Sequence, residues 1–375
     1  MSFRGSRDPA PWLVAAALAL LITVPAANGA TGQRLDLGVG LTTAYDSNLL
    51  QYSNAQIDQF ESGSHPDRFS IETRDDLAWS PELSLAWELD SGRGRRHLVR
   101  VRGSGEFHQK DATADFRAVS LTWRESFRGG RRLTLAAYAL PSFYLRQLFD
   151  PDAVPAFSGL SRYRRAQFGL DIASASYRQA LPGPLEIEAG YQYERRRYVA
   201  GFRERDSGTH QAELAVGVSK ARAALEGRAL YRDANAKAED GDGTAGDDVD
   251  VGYHGPGGGI TGRIEFARRG RMRLAGDLAL EGERRRFDSN RALDPFHRDR
   301  TDVRFAVESG LRIRLVRRAQ ARAFWRYETN DARLGARASA SNDAGSYREH
   351  RVGLAFDATL TLWRPAAAAG GSSEE

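Results

Sequence analysis

The chain has 375 residues, 41% hydrophobic, 10% aromatic and 27% charged, and its 54 basic and 49 acidic residues leave a formal net charge of +5. So small a surplus gives no electrostatic case for nucleic acid as a partner, and the lack of any cysteine excludes disulfides, thiolate zinc sites and thiol catalysis. The aromatic content argues against intrinsic disorder, and lysine occurs only at Lys110, Lys220 and Lys237, so the basic side is almost wholly arginine.

Residues 1–30 have the layout of a secretory signal peptide. Arg4 and Arg7 precede the apolar run WLVAAALALLITV, and Pro25 and the small residues AANGA follow it. A positive start, an apolar core of this length and a small-residue cleavage site direct the mature chain out of the cytoplasm. The core is short for a membrane helix, and no later stretch holds the roughly 18 uninterrupted apolar residues that such a helix needs.

From Leu35 on, the recurring signal is alternation. Leu35, Leu37, Val39 and Leu41 share one parity, as do Leu77, Trp79, Leu83, Leu85 and Trp87, then Val99, Val101 and Phe107. Val119, Leu121 and Trp123 come next, then Leu133, Leu135 and Phe143, then Ala166, Phe168, Leu170 and Ile172, then Leu185, Ile187, Tyr191 and Tyr193. The second half repeats the pattern around residues 214–218, 225–231, 260–266, 272–280, 305–315, 321–327 and 352–362. Apolar residues at period two predict strands with one greasy face, here about fourteen. The links alternate as well. SGRGRR, RGGR, LPGP, SKAR, RRGR and VRRAQ follow the even strands, whereas the odd strands are mostly followed by longer polar links, the first spanning residues 48–73. Tight turns on one rim and long loops on the other predict an all-β, transmembrane, antiparallel up-and-down β-barrel over residues 31–363, with residues 364–375 as a disordered tail.

The opposite parity explains the charge. It carries Arg100, Arg102, Glu106, Arg165, Asp171, Glu186, Glu188 and Arg228, then Arg273, Asp277, Glu281, Arg304, Glu308, Arg312, Arg314, Arg322, Arg326 and Glu328. In a soluble sandwich this face would meet open water; in a barrel it lines the bore. Aromatic placement favours the barrel. Trp87, Trp123, Phe127 and Phe266 sit by the tight turns, and Phe107, Phe143, Tyr191, Tyr193, Tyr231, Trp325 and Tyr327 by the long loops, two belts suited to lipid headgroups. Arg195, Arg197, Arg284 and Arg286 are expected to point outward beyond the aliphatic band, where guanidinium forks suit lipopolysaccharide phosphates or are simply solvated.

The strand grammar, the signal and the segment GVGLTTAYDSNLL, residues 38–50, resemble Gram-negative outer-membrane β-barrels. AYDSNLL is similar to the opening of the barrels of surface-lipoprotein assembly modifiers and exopolysaccharide exporters. The resemblance implies insertion by the outer-membrane barrel assembly machinery, contact with outer-membrane lipid and lipopolysaccharide, and a partner in an export system.

A barrel of this size is wide enough for a polar conduit. The leading expectation is a channel or export path for a polar solute or polymer, with arginines of strands twelve and thirteen leaning it towards anions. The alternative is a non-conducting structural or assembly barrel, and the conformation of residues 48–73 separates the two. A rim hydrolase would need a histidine paired with serine or acid, and none of the seven histidines is set apart by spacing. No cofactor or metal is expected. GGGITG at residues 257–262 is followed by a strand where a dinucleotide fold needs a helix, and the acidic residues 239–248 lack calcium-loop spacing.

Overall fold

The computed structural model describes residues 32–92, 94–150, 161–238, 249–289, 294, 297–316, 318–334 and 345–364. The expected signal peptide, the acidic stretch 239–248 and the tail after Arg364 lie outside the described residues. Fourteen antiparallel strands close into a barrel, each paired with its sequence neighbours, and β1 sealed against β14. They are β1 (Gly32–Asp46), β2 (Asp76–Asp90), β3 (Arg96–His108), β4 (Phe116–Ser126), β5 (Arg132–Phe149), β6 (Tyr163–Ala180) and β7 (Leu185–Tyr198). The second half comprises β8 (Ser207–Lys220), β9 (Ala223–Ala236), β10 (Tyr253–Arg269), β11 (Met272–Phe287), β12 (Thr301–Val316), β13 (Ala319–Arg333) and β14 (Tyr347–Trp363).

The period-two pattern becomes two surfaces. Between β12 and β13, Val307 stands opposite Tyr327 and Leu311 opposite Ala323 on the outside, while Glu308 faces Arg326 and Arg312 faces Arg322 within. Outside, Leu214 is 57% exposed, Leu354 67% and Leu360 55%. A continuous apolar belt of this kind is costly in water and favourable in lipid. Closure pairs every strand edge, which the hydrocarbon layer demands. The exterior is therefore the lipid face of a membrane-spanning barrel. Trp79, Tyr191, Tyr231 and Trp325 ring it by the long connections, and Phe266, Tyr177 and Trp363 by the tight turns.

β5 and β6 depart from the predicted parity. Phe143 does not join the outer aromatic belt, and Ala166, Phe168, Leu170 and Ile172 do not face lipid. In the middle of β6 the exposed positions are Ala173, Ala175 and Tyr177, so the even positions there turn inward. In β5 a register shift between Leu140 and Phe143 moves Phe143 onto the same inner face, opposite Phe168. Asp171 is corrected with them. It lies on the outer face, where Arg197 donates a 2.5 Å hydrogen bond to it, and does not line the bore. Apolar residues here occupy both parities of β6, and alternation cannot say which set faces lipid.

The glycines of β10 serve close packing. A Cβ on Gly258 would lie 2.6 Å from the Arg228 carbonyl oxygen, and one on Gly259 would lie 2.7 Å from that of Leu280. Only glycine lets the three backbones meet at this spacing.

Candidate functional site in the bore and its mouth

The inner wall is a lattice of ion pairs. Arg102 meets Glu82 at 2.5 Å and Arg228 meets Glu281 at 2.5 Å. Arg178 gathers Glu186 at 2.5 Å, Glu226 at 3.2 Å and also Glu188. Glu106 takes Arg351, which reaches it over β1 and β2. Arg273 stands 3.6 Å from Glu265. On β11 to β13 the lattice is denser. Arg322 holds Asp277 and, at 2.7 Å, Glu308, while Arg326 reaches Glu308 at 3.4 Å and Glu328 at 2.9 Å. Arg304 meets Glu328 at 2.7 Å, and Arg312 lies 3.8 Å from Asp277. Arg100 and Arg314 make no ion pair among the described residues. Much of the arginine surplus on β12 and β13 is thus met by carboxylates. Gly310 makes room for the lattice, since a Cβ there would sit 2.6 Å from Arg322 Nε.

The connection from β1 to β2, here loop one, crosses the bore. Asn48 begins the crossing. Its side-chain oxygen accepts from the Tyr52 backbone N–H at 2.8 Å, and its amide donates to the carbonyls of Tyr52 and Arg348 at 2.8 and 3.0 Å. Gln51 then donates to Glu349 at 3.0 Å and to Glu328 at 3.4 Å, on the inner faces of β14 and β13. Arg146 of β5 donates to the Leu50 carbonyl at 3.0 Å. Around the ring β13, β14, β1, β2, β3, β4, β5, these anchors stand six of fourteen places apart, almost opposite each other. Leu50, Tyr52, Ile71 and Tyr144 form a buried cluster, with Ile57, Phe60 and Phe69 packed against it. Burial raises the Tyr52 phenol well above its usual range, so it stays protonated.

Loop one also holds a helix, α1 (Asn54–Ser62), closed at its start by a reciprocal Ser53–Gln56 capping box and at its end by Gly63 in the left-handed region, φ 65°. The sequence signal was S-x-x-Q with a glycine at the far end. Arg146 and Tyr144 carried no such signal, because a second register shift between them and β6 hides which face each takes. Beside loop one, Phe116, Phe143, Phe168 and Tyr198 form an inner aromatic row with centroids 5.6, 5.4 and 5.2 Å apart. Arg196 lies over Phe168 at 5.5 Å.

Among the described histidines, no serine–histidine–acid relay forms. His108 meets Asp115 and Glu106 at 3.3 and 3.6 Å, and His350 packs against Trp325 and Tyr327 on the outer face. Ser289 and His297 both bond to Asp294, at 3.0 and 3.1 Å, so hydroxyl and imidazole share a carboxylate without meeting. Ser91 Oγ lies 3.4 Å from His97 Nε2 in a tight turn, and no acid–imidazole pair is seen at His97 among the described residues. Arg195, Arg197, Arg284 and Arg286 carry outward parity by the long connections, and all but Arg197 are without an ion pair among the described residues.

No family model and no curated protein matches the chain. Among solved structures it is similar to a bacterial polysaccharide outer membrane secretin at 11% identity, with a TM-score of 0.42 over 87% of this chain and 98% of that one. An anion-selective porin from Comamonas acidovorans gives 11% and 0.40 over 88% and 99%, and the outer membrane channel DcaP of Acinetobacter baumannii 10% and 0.42 over 88% and 98%. At these scores nothing about cargo or mechanism passes from those proteins to this chain.

Proposed function

We propose that the protein is a channel of the Gram-negative outer membrane, carrying a polar solute through a bore narrowed at its mouth by loop one. The observation that carries this reading is the pairing of a lipid-facing apolar exterior with an interior of charged side chains arranged for water. A barrel with no passage has little use for such a wall, because apolar filling is the cheaper way to brace a closed interior. The test is single-channel conductance of the refolded chain in planar bilayers. Wild type is expected to conduct, and Asn48→Ala to conduct more, since that change releases the Tyr52 backbone and the Arg348 carbonyl and frees the start of loop one.

A second reading is a non-conducting structural or assembly barrel. Loop one favours it, because its anchors on β5 and β13 bridge the bore. Absence of conductance in both wild type and Asn48→Ala would establish it over the channel. In either case the outward arginines Arg195, Arg197, Arg284 and Arg286 are proposed to take lipopolysaccharide phosphates, and insertion is proposed to need the barrel assembly machinery. Replacing all four outward arginines with glutamine should lower the lipopolysaccharide retained on purification.

A further inference from the structure

We infer that the mouth contains a subsite for an oxyanion, a carboxylate or phosphate group on the solute, centred on Arg146 and Tyr52. It rests on the channel reading and names the chemical class of cargo. Three independent features converge there. Arg146 makes only neutral contacts, with the Leu50 carbonyl at 3.0 Å and the Tyr52 ring at 5.5 Å, and no carboxylate pairs with it among the described residues. Most of the bore's arginines have such a partner.

Besides burial and Tyr52, two further guanidinium groups act on Arg146, Arg68 of loop one and Arg205 of the connection from β7 to β8. Arg68 donates at 2.8 Å to the neutral amide oxygen of Gln59. Arg205 pairs through its Nε with Glu204 Oε1 at 3.3 Å, without a well-formed hydrogen bond at that nitrogen among the described residues. Like charges sharing a part-buried site repel one another, and an anion among them relieves that repulsion.

The third feature is Tyr52 itself, 2% exposed, whose buried hydroxyl has no hydrogen-bond partner among the described residues. A buried donor without an acceptor is costly by itself. One oxyanion would take the Tyr52 O–H and the Arg146 guanidinium fork together, the donor set such groups favour. The aromatic row from Phe116 to Tyr198 lies on the same inner wall and would offer an apolar track to the rest of the solute.

The test is calorimetric titration of the detergent-purified full chain with sodium phosphate and, separately, sodium succinate, at fixed ionic strength. Saturable binding of at least one probe is expected. It should weaken at least tenfold in Arg146→Gln and several-fold in Tyr52→Phe, and be unchanged in Arg269→Gln at the opposite rim. Phosphate binding alone assigns a phosphate-bearing solute, and succinate binding alone a carboxylate. No saturable binding by wild type, or equal binding by Arg146→Gln, overturns the subsite. If Arg146→Gln loses the heat-modifiable gel shift of a folded barrel, Arg68→Gln takes its place, with several-fold weakening expected and unchanged binding overturning the inference. Binding is read in micelles, so a channel that conducts without binding sinks the subsite alone, whereas binding without conductance sinks the channel reading alone.

Discussion

Glu328 shows how one side chain can hold a wall together. It is 3% exposed, and its two oxygens receive Arg304, Arg326, Tyr347 and the Gln51 amide. Removing the charge would leave two guanidinium groups facing each other. Breaking a buried pair costs about 3–5 kcal/mol, and the water around the part-exposed Arg304 places this case at the lower end. Glu328→Gln is therefore expected to lose roughly 3 kcal/mol, read from urea unfolding of the folded barrel, and to loosen Gln51 with it. Gln51 itself sits at φ 54°, a left-handed position unfavourable for a residue with a Cβ. Its two carboxylate partners offset that cost, so the strain marks where loop one is pinned.

At the scale of elements, the connection from β11 to β12 is tied by Asp294, which accepts from Ser289, from His297 and from the Asp250 backbone. Burial holds the His297 imidazole below its usual pKa, against the pull of Asp294 and with Arg205 and Arg300 adding to the depression. Burial alone would raise Asp294, but its hydrogen bonds from His297 and Ser289 outweigh that and lower it. The sign follows from linkage. A histidine depressed in the folded state takes up its proton more readily once the anchor opens, so its contribution is present above about pH 6.5 and is lost as pH falls below that value. Carbon-13 NMR of labelled histidine should give a His297 midpoint below 6.5, and a lower one still in Asp294→Asn. A midpoint unmoved by that change would separate the two groups. β5 and β6 teach a different lesson. At 18 residues each they are the longest strands, and their inner apolar residues line the part of the wall nearest the core of loop one.

For the whole molecule, the lipid face sets the terms. A charge placed mid-strand on that face should cost about 2–4 kcal/mol, whereas the same charge facing the bore is solvated. Leu214→Arg, 57% exposed on β8, is expected to lower folding stability in bilayers by that amount. A substitution there with no effect on folding in lipid, yet measurable loss in detergent-free buffer, would mean the apolar belt never meets a membrane. The alternating turn lengths and the closure of β1 on β14 follow from the same constraint, because an open edge in hydrocarbon leaves unpaired amides.

Period two, applied to runs such as Phe305 to Leu315, determined the strands, their number, the closed barrel and most of the charged lining, because alternation converts directly into two faces. It could not decide β5 and β6, where both parities are apolar and a single bulge moves every later side chain to the other face. Nor could it place Tyr52 and Arg146 together, since loop one and β5 meet only when the ring closes and the loop turns inward. AYDSNLL was legible as a resemblance, but its physical work, Asp46 and Asn48 bending the chain into the mouth, was decided by contacts with β14 that lie about 300 residues away. Local pattern fixes which face a side chain takes; only tertiary closure brings distant segments to one site.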